Sequence, residues 1–143
     1  MKFQRGQAMV EFAFILPLFI FLLFGIIYFG MAFSDYIALN NVARSSAREA
    51  SISTEREPYP NIKKEYGQKD LPTDLYELTK FDIKDISSPS NNKEKNVQVI
   101  IEAKLSSKED SLVQIFRNIL GNDSLFDIHI QYTMYKEPSS SSS

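Results

Sequence analysis

The 143-residue chain balances 16 Lys and Arg against 18 Asp and Glu, for a formal net charge of -2. No global basic field marks it for nucleic acid or an anionic surface. With no cysteine, it cannot form disulfides, iron–sulfur clusters, thiolate zinc sites or thiol nucleophiles. Its one histidine, His129, excludes a multi-histidine metal site, and no cofactor is expected.

The chain opens "MKFQRGQAMVEFAFILPLFIFLLFGIIYFG", and no charged residue interrupts Phe12 to Phe33. At about 1.5 Å per residue this run makes a helix of roughly 33 Å, enough to cross a hydrocarbon core of about 30 Å. A core helix of a water-soluble protein is rarely apolar on every face for that length. Pro17 lies inside the run, removing one helical N–H and freeing the carbonyl of Ala13. Lys2 and Arg5 precede the span, whereas Asp35 is the first charge after it and Arg44 the nearest downstream cation. The positive-inside rule therefore keeps the short N-terminus in the cytoplasm and sends the C-terminal part across the membrane. A cleaved secretory signal fits poorly, because the apolar run is too long and "GMAFSD" is a poor cut site.

Glu11 stands inside the leading edge of this run, five positions after Gly6. A carboxylate at interfacial depth can reach the headgroups at little cost, whereas one held deeper is functional by default. If the chain were cut after Gly6, the basic leader would be lost and Gln7 would carry a free amine, a cation at neutral pH. Glu11 would then be the only carboxylate at that depth. The amine of one molecule and Glu11 of the next could neutralise each other, and the pair is cheaper in lipid than either charge alone.

The stretch "RGQAMVEFAFILPLFIFLLFGIIYFGMAF" followed by "DYIALNNVARSSAREAS" resembles the TadE-like family, the minor pilins or pseudopilins of tight-adherence (Flp-type) pili. The resemblance covers about residues 5–52 and runs through Pro17, Gly25 and Gly30 into "ALNNVARSSAREA". In the family a glycine precedes the prepilin-peptidase cut, and a glutamate followed by an aromatic residue stands five positions beyond it. Gly6, Glu11 and Phe12 match these positions, with Gln7 as the first mature residue. The resemblance implies several partners: a prepilin peptidase, other pilins of the same filament, an inner-membrane platform protein and its assembly ATPase. It also implies a role in surface attachment, biofilm formation or DNA uptake. No enzymatic activity is expected. The alternative is an uncleaved single-pass membrane protein whose exterior domain binds a partner.

From Ser34 to Glu57 there is neither proline nor glycine, so the membrane helix is expected to continue into the exterior space and end before Pro58. Ala38, Ala43, Ala47 and Ala50 fall on one face and would let a neighbour approach closely. That neighbour could be another helix or the protein's own domain. Arg44, Arg48 and Glu49 read as a polar set that is solvated or faces a helix. The stretch from Pro58 to Asp74, with three prolines, Gly67 and many charges, reads as a loop or irregular arm.

Farther on, "LYELT" suits a helical turn, whereas Phe81 and Ile83 alternate with Asp82 and Lys84 like a short strand; "SPSNNKEKN" reads as a polar turn. Val97, Val99, Ile101, Ala103 and Leu105 alternate with polar residues, as do Phe126, Ile128, Ile130, Tyr132 and Met134, predicting two half-buried strands. Between them Leu112, Ile115, Phe116, Ile119 and Leu120 predict a helix from about Asp110 to Gly121. His129 shares its polar face with Asp127 and Gln131, and no serine sits in a nucleophile-elbow motif, so this row reads as solvated surface. The terminal "PSSSSS" is low-complexity and expected to be disordered.

The expected fold is α+β, pilin-like: a long N-terminal transmembrane helix extending into an exterior helix, packed against a small antiparallel sheet with one additional helix. The corresponding layout is a leader at 1–6, a span at 7–33, an exterior helix at 34–57, a small α+β domain at 58–138 and a serine tail at 139–143.

Overall fold

The computed structural model describes residues 3–53, 57–73, 75–88, 91–106, 114, 118 and 127–136. An α-helix, α1, runs from Phe3 to Ile52 with Pro17 inside it. By chain contacts the protein divides into two units, Met1–Phe33 and Ser34–Ser143.

In the first unit most of the apolar side chains are exposed, although Tyr28 is buried. Phe14 is 77 % exposed and Phe29 74 %. So much contiguous apolar surface is incompatible with water as the only neighbour. By length and composition α1 qualifies to cross a membrane.

The second unit contains the rest of α1, a short helix α2 (Pro60–Gly67) and three strands. These are β1 (Tyr76–Ser88), β2 (Asn91–Leu105) and β3 (Ile128–Tyr135), arranged β1-β2-β3 with both pairings antiparallel. The alternation expected of the later strands is observed. Val97, Val99, Ile101 and Ala103 of β2 have no exposed surface, and Ile83 of β1 and Ile130 of β3 join them on the same face. The architecture is thus α+β, with a long apolar N-terminal helix, a small antiparallel sheet and a short additional helix.

Three sequence expectations are corrected. The stretch read as an irregular arm contains α2, with Pro60 in its first turn and Gly67 at its end, positions those residues favour. "LYELT" is extended, since β1 begins at Tyr76. Both strands of the first hairpin run far into the expected polar turn, with Ser87 opposite Lys95 and Ser88 opposite Asn91. Of the helix expected at 110–121, Gln114 and Asn118 are helical and exposed; its other positions, Phe126 and the serine tail lie outside the described residues.

The part of α1 in this unit carries small buried residues and buried polar ties. Ala43, Ser46, Ala47 and Ala50 are completely buried, and Leu39 and Val42 nearly so. Ser46 Oγ donates to the Ala43 carbonyl at 3.2 Å, so its burial leaves no hydroxyl unsatisfied. Asp35 is also fully buried. Its carboxylate accepts from Thr73 N at 2.9 Å, Thr73 Oγ1 at 2.6 Å and Tyr76 N at 3.3 Å. Farther along, Tyr66 of α2 donates to Glu49 Oε2 at 2.9 Å. Burial and then this bond to Glu49 push the Tyr66 hydroxyl above its ordinary pKa.

A second polar tie joins three distant segments. Tyr59, just before α2, is fully buried and has a left-handed backbone (φ 54°), which is costly for a bulky residue unless its surroundings enforce it. Its hydroxyl donates to Asp85 of β1. Lys136, just after β3, donates to Tyr59 Oη at 2.6 Å and to Asp85 Oδ2 at 2.9 Å. Burial pushes the Asp85 carboxyl up, but the bonds from Tyr59 and Lys136 and the lysine charge outweigh it, leaving the group below its ordinary value. For Lys136, burial lowers the pKa, and the bonds to Tyr59 and Asp85 more than reverse this.

Three measurements on the full chain in detergent, following the tyrosine signal through denaturant unfolding, test this account. Ala47→Leu overpacks a site with no free surface and should cost about 1–3 kcal/mol. Asp35→Ala strands the Thr73 and Tyr76 donors and should cost about 1–3 kcal/mol for each buried donor left unpaired. The Asp85 pKa is depressed on folding, so its contribution is complete above about pH 4 and disappears as pH falls through the folded value. The Lys136 pKa is raised, so its contribution is complete below about pH 10 and disappears as pH rises through the folded value. Asp85→Asn should remove the carboxylate's share of the acid-side loss and lower mid-pH stability by about 1–3 kcal/mol.

Candidate functional site

The candidate residues fall into two groups, one in each unit. Gly6 lies within α1, and Gln7, Glu11 and Phe12 follow as exposed helical residues, Phe12 at 63 %. Gln7 and Glu11 are four positions apart, which puts them on one face with a rise of about 6 Å between them. Glu11 is the only ionisable carboxylate between Arg5 and Asp35. A carboxylate exposed on a helix with no cation among the next thirty or so positions can be neutralised only from outside that stretch.

In the second unit, Ala43, Ala47 and Ala50 have no exposed surface and Ala38 is half-buried. The three buried alanines pack inside their own unit. Arg44 and Arg48 are exposed, whereas Glu49 is half-buried and engaged by Tyr66.

The polar row of the sheet is tied up in cross-strand pairs. Glu102 faces His129 in register and accepts from Lys80 Nζ at 2.7 Å. Asp127 Oδ2 lies 4.0 Å from Lys104 Nζ. The bond from Lys80 holds the Glu102 carboxyl below its ordinary value. Likewise the bond from Lys63 lowers Asp82, with burial opposing it and Lys84 reinforcing it. The Lys80–Glu102 pair thus links β1 to β2, and the Lys63–Asp82 pair links α2 to β1.

Sequence reasoning treated Asp35 only as the first charge after the span and did not single out Tyr59, Asp85 and Lys136. Asp35 could have been suspected from its position, as a lone acid directly following hydrocarbon. The other three are brought together only by the fold.

No curated protein and no solved structure matches this chain. The family described as TadE-like protein matches residues 6–48, which begins at Gly6, takes in Glu11 and Phe12, and extends past Asp35 to Arg48. Residues 6–48 therefore form a TadE-like segment, which supports a tight-adherence pilus-related protein.

Proposed function

We propose that this protein is a minor pilin or pseudopilin: a structural or assembly-initiating subunit of a tight-adherence pilus or a related secretion machinery. It is inserted in the inner membrane with its N-terminus in the cytoplasm and its second unit outside. A prepilin peptidase cuts after Gly6. The mature helix, beginning at Gln7, stays in the bilayer until a platform protein driven by an assembly ATPase moves it into a filament or its base, beside other pilins.

The observation that carries this reading is the isolated Glu11, exposed one helical turn beyond Gln7 at the head of an otherwise uncharged span. Cleavage after Gly6 creates a cation at that end of the helix, and Glu11 supplies its counter-charge on an adjoining subunit. In a low-dielectric surrounding each charge alone is strongly disfavoured, so pairing favours lateral association.

Mass spectrometry of the N-terminal peptide from membranes and from sheared pili tests the processing. The mature chain should begin at Gln7, and Gly6→Leu should retain the leader. Pili built from chains that still carry Met1 would overturn the reading in favour of an uncleaved anchor. Glu11→Ala should leave insertion intact and reduce recovery in pili at least several-fold; unchanged recovery would remove Glu11 from assembly.

A further inference from the structure

One face of the exterior helix segment remains open. Leu39, Val42, Ala43, Ser46, Ala47 and Ala50 occupy its buried side. On the opposite side Ile37, Asn41, Arg44, Ser45, Arg48 and Ile52 are all exposed, and at 3.6 residues per turn they fall within an arc of roughly 100°.

This stripe breaks the usual rule for a solvated helix face. Such faces alternate opposite charges one turn apart, whereas Arg44 and Arg48 place like charges at that spacing, which opposes helix formation. No carboxylate lies on the stripe: Asp35 is buried, and Glu49 is engaged by Tyr66. Among the described residues neither arginine makes an ion pair. Ile37 and Ile52, 45 % and 66 % exposed, bracket the arginines as apolar anchors about 22 Å apart along the helix.

A lipid headgroup is a poor occupant. Arg44 lies eleven positions beyond Phe33, roughly 16 Å along the helix, whereas the headgroup layer extends only about 5–8 Å past the hydrocarbon. We infer that this stripe docks a neighbouring pilus subunit through a surface presenting carboxylates about 6 Å apart, matched to the rise between Arg44 and Arg48. Guanidinium groups suit this task because each can bind a carboxylate through two parallel hydrogen bonds. The inference rests on the pilus-subunit reading above and adds the chemistry of the neighbour.

The absence of native cysteine makes Ser45→Cys a unique attachment point for a photoactivatable cross-linker. The experiment uses the full chain in intact pili, with the N-terminal peptide measured on the same sample. Cross-links should reach another pilus subunit at a peptide containing at least two carboxylates. Their yield should fall several-fold with Arg44→Glu and Arg48→Glu together, or at raised salt, and Arg44→Lys with Arg48→Lys should restore most of it. Limited proteolysis checks that each variant keeps its exterior unit folded. If the charge-reversed chain is misfolded, the salt series on the Ser45→Cys chain decides alone. Equal yield after charge reversal or at raised salt, cross-links to lipid only, or none in pili whose subunits begin at Gln7 would overturn the inference while leaving the pilus reading intact. Chains that keep Met1 and never enter pili would overturn both.

Discussion

The second unit depends on the burial of one carboxylate. Asp35 is the first charge after the apolar run, and a buried, unpaired carboxylate there would be strongly destabilising. Instead it accepts from Thr73 and Tyr76, so the start of β1 is bound to a defined point on α1. Glu49 and Tyr66 make a second attachment, fourteen positions or about 21 Å farther along the helix. Between these two points the buried face is built mainly from alanine and serine. Directional bonds set the register, and small side chains allow close approach. Neither would suffice alone, because small residues bury too little area to specify a position.

How much of this the sequence reveals depends on the range of the interactions. β2 and β3 are legible because a half-buried strand writes its burial as strict alternation, and Val97 through Ala103 follow it without exception. β1 is harder to read because its inward positions include Asp85, in register with fully buried Val97. A carboxylate on an inner face contradicts the pattern until Tyr59 and Lys136, both far away in sequence, are seen to satisfy it. α2 escapes periodicity altogether. It has eight residues and buries only Ile62, so its flanking Pro60 and Gly67 are the usable signals. The hairpin arms of β1 and β2 are polar near the turn, and polar composition does not separate a strand end from a loop.

The candidate site divides in the same way. Gly6, Glu11 and Phe12 can be found from sequence because a single acid in a long uncharged run is a local anomaly. The alanine face is equally visible, but its partner is not, since periodicity states which side of a helix is apolar without naming what covers it. Folding supplies that answer for Ala43, Ala47 and Ala50, which are enclosed within their own unit. The polar knot at Tyr59 illustrates the opposite limit. Each of its three residues is unremarkable in its own neighbourhood, and only their convergence makes the half-buried ion pair tolerable.

These assignments constrain what the helix segment of the second unit can offer a neighbour. A helix has one circumference, and here the small-residue side is already buried within its own unit. The side left exposed bears Ile37, Arg44, Arg48 and Ile52, whose chemistry differs from that of the uncharged run before it. An exposed arginine pair favours carboxylate-bearing surfaces and disfavours basic ones, because like charges brought together are penalised. The family match stops at residue 48, so it covers both regimes of the helix and little of the domain that α1 carries. The matched residues include Asp35 but not Thr73 and Tyr76, which satisfy its carboxylate.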